Sequence, residues 1–168
     1  MENYYPGSYN FFKEEVCAYI DEQYPNGTVL DMGAGSGKWG LLLGDSHPVD
    51  CIEVNLQTIA FCGLPEIYRT CYHGKAENLR FDWYDVVVMG DLLEHYTVEG
   101  AQRLIEYCYP RCGELVIAVP YLYEQGAIHG NEYEIHRQPD LTHELFMERY
   151  PGFRLLYGND LYGYYVKG

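Results

Sequence analysis

Three glycines alternate in Asp31-Met32-Gly33-Ala34-Gly35-Ser36-Gly37. The stretch follows the apolar run Thr28-Val29-Leu30 and leads into Lys38-Trp39-Gly40. Glycines let a backbone turn sharply and approach a ligand closely. The amides that open a following helix favour negative charge. Three ligand types compete for such a loop. A phosphate-cradling P-loop needs Gly at position 32 and Ser or Thr at position 39, where this chain has Met32 and Trp39. Dinucleotide spacing, G-x-G-x-x-G, is missed because the third glycine comes one residue early, at Gly37. The pattern that remains is Asp-x-Gly-x-Gly-x-Gly. A second group of reactive side chains lies at His129-Gly130-Asn131-Glu132-Tyr133-Glu134-Ile135-His136-Arg137. Imidazoles and carboxylates there suit proton transfer or the lining of an acceptor pocket. In an extended stretch Glu132, Glu134 and His136 would share one face, and with His129 they are possible metal ligands. The bland role for Glu134 and His136 is to pin the loop to the sheet. No metal site is assigned: Cys17, Cys51, Cys62, Cys71, Cys108 and Cys112 form no C-x-x-C pair and match no zinc module. They read as reduced, mostly buried thiols.

These residues need a scaffold, and the rest of the chain supplies one. The 168 residues fit one domain, 1–168. Strand-like and helix-like stretches alternate, which predicts an α/β fold with a mainly parallel sheet. The expected strands are Thr28–Asp31, Val49–Val54, a weak Tyr68–Tyr72, Tyr84–Met89 and Glu114–Val119. Tyr84–Met89 is β-branched and nearly uninterrupted, as a central parallel strand should be. Helices are expected over Phe11–Asp21, Lys38–Leu43, Gly100–Tyr107 and Leu141–Tyr150. Phe153–Tyr157 and Tyr162–Lys167 read as a closing hairpin. Residues 121–140 read as a loop, and loops that long in a compact domain are usually functional or disordered.

The loop, its strand and its helix resemble the first motif of class I S-adenosylmethionine-dependent methyltransferases. The resemblance runs from about Thr28 to Val119, with the Lys38-Trp39-Gly40 helix start and the 129–137 segment similar to small bacterial and phage members. It implies a Rossmann-like, seven-stranded, mostly parallel sheet with helices on both faces and a C-terminal antiparallel hairpin. It also implies S-adenosylmethionine as cofactor. On this resemblance Gly33, Ala34, Gly35 and Gly37 cradle the cofactor, and Asp31 steadies the loop from beneath. In Cys51-Ile52-Glu53-Val54, Glu53 accepts from the ribose diol, with Val54 beside it. In Gly74-Lys75-Ala76-Glu77-Asn78-Leu79, Glu77 reads the adenine amino group and Ala76 lies beside the ring. Asp91, after the fourth strand, lies near the methionine part. Within Asp91-Leu92-Leu93-Glu94-His95, His95 is the first candidate base, as in small-molecule O-methyltransferases. Glu134 and His136 would line the acceptor pocket.

The charge balance is 11 basic against 25 acidic residues, or −14. Binding through nucleic-acid phosphates needs clustered Lys and Arg, so a small-molecule acceptor with a hydroxyl, carboxyl or amine group is expected. No Asn/Asp-Pro-Pro-Tyr motif and no Pro-Cys pair follows the fourth strand, which disfavours methylation of nucleic-acid bases. Nothing in Met1–Tyr5 reads as a signal peptide, and no apolar run is long enough to cross a bilayer, so a cytoplasmic location is expected. With no inserted lid domain, the expected cover is the 121–140 loop, a second subunit of a homodimer, or a macromolecular acceptor. Tyr4, Tyr5 and Tyr9 are candidates to close over the cofactor, and Tyr121 and Tyr123 to stack on a substrate. The rival readings are a non-catalytic binding or interaction module, and another reaction on the same cofactor.

Overall fold

A computed structural model describes residues 9–128 and 130–168. Tyr4, Tyr5 and His129 therefore lie outside the described residues. The described residues form one seven-stranded sheet in the order β3-β2-β1-β4-β5-β7-β6. The strands are β1 Val29–Met32, β2 Val49–Glu53, β3 Thr70–His73, β4 Tyr84–Gly90, β5 Cys112–Pro120, β6 Arg154–Gly158 and β7 Tyr162–Lys167. Strands β1 to β5 pair in parallel. Strand β7 pairs antiparallel with both β5 and β6, giving the expected hairpin.

Side-chain alternation builds two cores from one sheet. Leu30, Met32, Val87, Met89, Leu115 and Ile117 pack on one face, against Ala101, Leu104, Ile105 and Cys108 of helix α5, Val98–Cys108. Those four helical positions follow the spacing of one buried stripe. Thr97 caps this helix, its Oγ1 accepting from Gly100 N–H at 3.2 Å. Val29, Val86, Val88, Val116 and Ala118 pack on the other face, against Val16 and Ile20 of α1, Lys13–Gln23, and Trp39 and Leu43 of α2, Lys38–Leu43. Burial on both faces explains why β1, β4 and β5 read as continuous apolar runs.

Strand β1 sits between β2 and β4, so the chain leaves it in opposite directions. A crevice opens at the carboxyl ends of the strands where a sheet reverses its winding.

The elements differ from the sequence reading in several places. Helix α1 starts at Lys13 rather than Phe11, because Phe12 holds a left-handed φ of 54°. Strand β3 starts at Thr70, with Tyr68 capping α4 and buried in the core. Helices α3, Leu56–Cys62, and α4, Leu64–Ile67, were not expected. Of α3 only Thr58 is fully buried, Ile59 and Cys62 pack partly against the core, and Leu56 and Phe61 stay exposed, so its apolar residues mark no single buried stripe; Asn55 starts it by accepting from the Gln57 and Thr58 amides. Helix α6 spans His143–Arg149, inside the expected range. No helix of the described residues is long and apolar enough to cross a membrane.

Candidate functional site

A cavity of about 960 Å³ opens at the carboxyl edge of the sheet. Its first wall is the loop after β1. Gly33, Gly35 and Gly37 have φ of 83°, 50° and 81°, a region that side chains rarely adopt. A Cβ at Gly33 would lie 2.9 Å from Leu92. The Gly33 and Ala34 amides donate to Ile52 O at 2.9 and 3.2 Å, which ties the loop to β2. Asp31 lies beneath, fully buried, accepting from Tyr68 Oη at 2.5 Å. Tyr68 Oη in turn accepts from Gly40 N–H at 3.2 Å, so β1 and α2 share one anchor. Burial pushes the Asp31 carboxyl up to about 7, against the opposing Tyr68 hydrogen bond and the Lys13 charge.

Glu53 ends β2 and faces the same cavity. Its Oε2 accepts from Gly35 N–H at 3.0 Å and its Oε1 from Asn55 N–H at 2.8 Å. Each oxygen keeps further acceptor capacity. Burial raises this carboxyl above its usual range, while the backbone hydrogen bonds pull it back. Val54 and Ala76 line the wall beside it. Glu77 is exposed at the rim, and its Oε2 accepts from Tyr96 Oη at 2.6 Å.

Asp91 follows β4 with a left-handed φ of 54°. For a non-glycine residue that conformation is strained, and such strain gathers at functional sites. It is held by Asp91 N–H donating to Ala118 O at 3.0 Å and by Tyr162 Oη donating to Asp91 Oδ1 at 2.7 Å. Lys13 is buried nearby, its Nζ 4.4 Å from the Trp39 ring centre. Burial lowers the Lys13 amine, and the Asp91 and Asp31 charges oppose that shift.

The far end of the cavity is built by two segments distant in sequence. Leu93–His95 form a single 3₁₀ turn after β4. Arg137 and Gln138 N–H both donate to Glu94 O, at 2.7 and 3.2 Å. Gln138, buried, donates Nε2 to Leu93 O at 3.0 Å and to Tyr96 O at 3.1 Å. Its Oε1 accepts from Tyr150 Oη at 2.8 Å. The lock brings His95 and His136 together, ring centres 4.8 Å apart and nearly perpendicular at 79°. His136 Nδ1 lies 2.7 Å from Tyr123 O. A carbonyl only accepts, so Nδ1 carries the proton and Nε2 of the neutral ring is bare. His95 Nδ1 lies 3.4 Å from Ile135 O, a looser hold. Burial, followed by the His136 charge, lowers His95 to about 4. Burial also lowers His136. Both rings are therefore neutral at neutral pH.

Gly33, Ala34, Gly35, Glu53, Val54, Ala76, Glu77 and Asp91 line the cavity, as do His95, Glu134 and His136. Asp31 and Gly37 do not. Asp31 lies beneath the loop, and Gly37 turns toward α4, where a Cβ would meet Ile67 at 2.9 Å and Leu64 at 3.1 Å. The shared face for Glu132, Glu134 and His136 does not form, because Glu132–Glu134 is a 3₁₀ turn rather than extended chain. Tyr123 reaches the cavity, whereas Tyr121 hydrogen-bonds Tyr165 Oη at 2.5 Å and stays off it. Tyr9 also lines the cavity, edge-on to Tyr123 at 6.5 Å. Residues 121–140 do form one wall of the cavity. The pin is shared: His136 holds Tyr123 O, and Gln138 holds the 93–96 turn. Sequence reasoning missed Gln138 and the buried Glu94. Asp91-Leu92-Leu93-Glu94-His95 drew attention to the region, but only packing against 135–138 buries Glu94.

No family model and no curated protein matches the chain. Solved structures do. The Burkholderia thailandensis 1,6-didemethyltoxoflavin-N1-methyltransferase, with 1,6-didemethyltoxoflavin and S-adenosylhomocysteine bound, is 17% identical at a TM-score of 0.66, over 90% of this chain and 75% of that one. The Synechocystis magnesium protoporphyrin IX methyltransferase, with S-adenosylmethionine bound, is 16% identical at 0.65, over 96% and 86%. A candidate O-methyltransferase from Nostoc punctiforme is 14% identical at 0.64, over 92% of this chain, which spans 55% of that protein's length. The chain has the Rossmann-like fold of class I methyltransferases.

Proposed function

We propose that this chain is an S-adenosylmethionine-dependent methyltransferase acting on a small-molecule acceptor. The observation that carries the proposal is one continuous cavity. It joins a left-handed glycine loop and the carboxylate of Glu53 at one end to two neutral imidazoles at the other. The donor set fits the cofactor. Gly33 and Gly35 let a ligand approach the backbone, Glu53 would accept from ribose hydroxyls, and Ala76 and Glu77 would meet the adenine. Asp91 and the tyrosines near it give the acidic, aromatic surroundings that favour a cation. Two of the structures aligned above contain this cofactor or its product. When bound, the sulfonium supplies an already activated methyl group.

The protein's work is then alignment and proton management. The loop pinned by Gln138 holds the acceptor wall in place. His136, with Nδ1–H fixed on Tyr123 O, would present Nε2 to an acceptor proton. His95 beside it, also neutral, would hold or relay that proton. Glu134 would bound the pocket on the same wall. The test is calorimetric titration with S-adenosylhomocysteine, with NAD and ATP as controls. Micromolar binding, about −8 kcal/mol, and no binding of the controls is expected. Absence of binding by the folded protein overturns the proposal.

A further inference from the structure

Glu94 is 1% exposed, and neither carboxylate oxygen has a hydrogen-bond partner among the described residues. Leaving a buried carboxylate without a partner is costly. Glu94 lines the cavity beside His95 and His136. One ligand atom from each of these three residues lies within 4.8 Å of the other two. We propose that Glu94, His95 and His136 bind a divalent transition-metal ion of the zinc or manganese kind at the acceptor end of the cavity.

The donor chemistry fits. Two imidazoles and one carboxylate suit zinc, manganese and iron. Three protein ligands with an open position are the donor set of catalytic zinc sites. The outer contact is also present: His136 donates Nδ1–H to Tyr123 O, which turns Nε2 toward the cluster and fixes the ring. An ion bonded at about 2.1 Å to each atom needs them about 3–3.5 Å apart. The cluster is therefore open by up to roughly 1–2 Å and closes as the ion enters. Closure needs only rotation of the Glu94 side chain and a small shift of the loop carrying His136 against the 3₁₀ turn that carries Glu94 and His95. Spacing in the sequence gives no sign of this site, because its ligands come from two segments about 40 residues apart that meet only in the fold.

The ion's role rests on the methyltransferase reading, though its binding does not. With the cofactor at the glycine loop, the open position faces the acceptor. It would select acceptors that offer a hard oxygen, such as a phenol, hydroxyl or carboxylate, and make a bound hydroxyl more acidic. The imidazoles then hold the ion instead of taking the proton themselves, and the acidified hydroxyl gives its proton to solvent water before the methyl group is transferred.

The experiment strips the protein with chelator and dialyses it against zinc or manganese. Bound metal is counted by mass spectrometry for the unmutated protein, Glu94→Gln and His136→Ala. One ion per chain is expected, with at least tenfold weaker binding in each variant. Less than a tenth of an ion in the unmutated protein overturns the proposal, as does undiminished binding in both variants. If a variant fails to fold, the cobalt(II) spectrum of the unmutated protein decides. Thiolate charge-transfer bands would put the ion on the cysteines and overturn the site; nitrogen and oxygen ligation alone supports it. Titrating the same samples with S-adenosylhomocysteine separates failure of the ion from failure of the methyltransferase reading.

Discussion

The two ends of the cavity are built by different means. The cofactor end is local. Gly33, Gly35 and Gly37 take left-handed conformations inside one short stretch, and Glu53 reaches back to Gly35 from the neighbouring strand end. The acceptor end is long-range. His95 meets Ile135 across 40 residues, and Gln138 reaches Leu93 across 45. Local conformation survives substitution elsewhere in the chain. A lock between distant segments fails when one side chain is removed. Perturbations should therefore separate the two ends.

The largest effect is expected beneath the glycine loop. Burial raises the Asp31 carboxyl from its ordinary value of 3.8 to about 7. A carboxyl raised on folding gives stability that is complete below the unfolded pKa and is lost as pH rises through the folded one. Its contribution should thus fall between about pH 4 and pH 7. The total is about 4 kcal/mol, at 1.36 kcal/mol per unit. Asp31→Asn keeps an acceptor for Tyr68 Oη and removes the titration. Urea unfolding at pH 5, 6, 7 and 8 should show a flatter pH slope in Asp31→Asn than in the unmutated protein. Equal slopes would mean that Asp31 titrates alike in both states.

Gln138→Ala comes next, and it strikes the other end. The change leaves the Leu93 and Tyr96 carbonyls and the Tyr150 hydroxyl without this buried partner. Orphaned buried groups cost roughly 1–3 kcal/mol each, and relaxation reduces the sum to about 3 kcal/mol. Stability should drop by that amount, while S-adenosylhomocysteine affinity stays within about twofold, since Gln138 touches no part of the glycine loop. An equal loss of cofactor affinity would show that the two ends are one cooperative unit.

The same contrast explains what could be read in the sequence. Most strands and the glycine loop were legible because each is written in a contiguous apolar run or a fixed glycine spacing. Helix α3 was not, because it is short and its apolar residues are divided between the core side, Ile59 and Cys62, and solvent, Leu56 and Phe61. At the acceptor end His95, Glu134 and His136 stood out by type. Their partners Glu94 and Gln138 did not. A glutamate and a glutamine read as surface residues until distant segments close over them. Glu132, Glu134 and His136 were read as one extended face because no sequence signal marks the 3₁₀ turn at Glu132–Glu134.

Glu53→Ala should change binding more than folding. Its two oxygens take backbone hydrogen bonds from Gly35 and Asn55, and their remaining acceptor capacity faces the cavity. Losing hydrogen bonds to a charged group costs about 1.5–3 kcal/mol. S-adenosylhomocysteine should bind roughly 10- to 100-fold more weakly by calorimetry, with a smaller fall in the urea midpoint as the Gly35 and Asn55 amides lose this acceptor. An unchanged affinity would remove Glu53 from the ribose contact and leave it as a support for the loop.

The smallest effect probes the seam between the two ends. Tyr96 follows the acceptor-end turn, its carbonyl held by Gln138, yet its hydroxyl donates to Glu77 Oε2 at 2.6 Å on the cofactor side. Glu77 is exposed, so the bond is worth little to folding, and Tyr96→Phe should cost less than about 1 kcal/mol of stability. If Glu77 reads the adenine amino group, releasing its carboxylate adds a rotamer to be fixed on binding, at about 0.5–1 kcal/mol. S-adenosylhomocysteine affinity should then fall two- to fivefold. The affinity of S-inosylhomocysteine, whose base has no amino group, should stay unchanged. Equal loss for both ligands would mean that Tyr96 acts through the shape of the wall. No loss for either would leave Glu77 a solvated acid and the adenine held by Ala76 and the backbone alone.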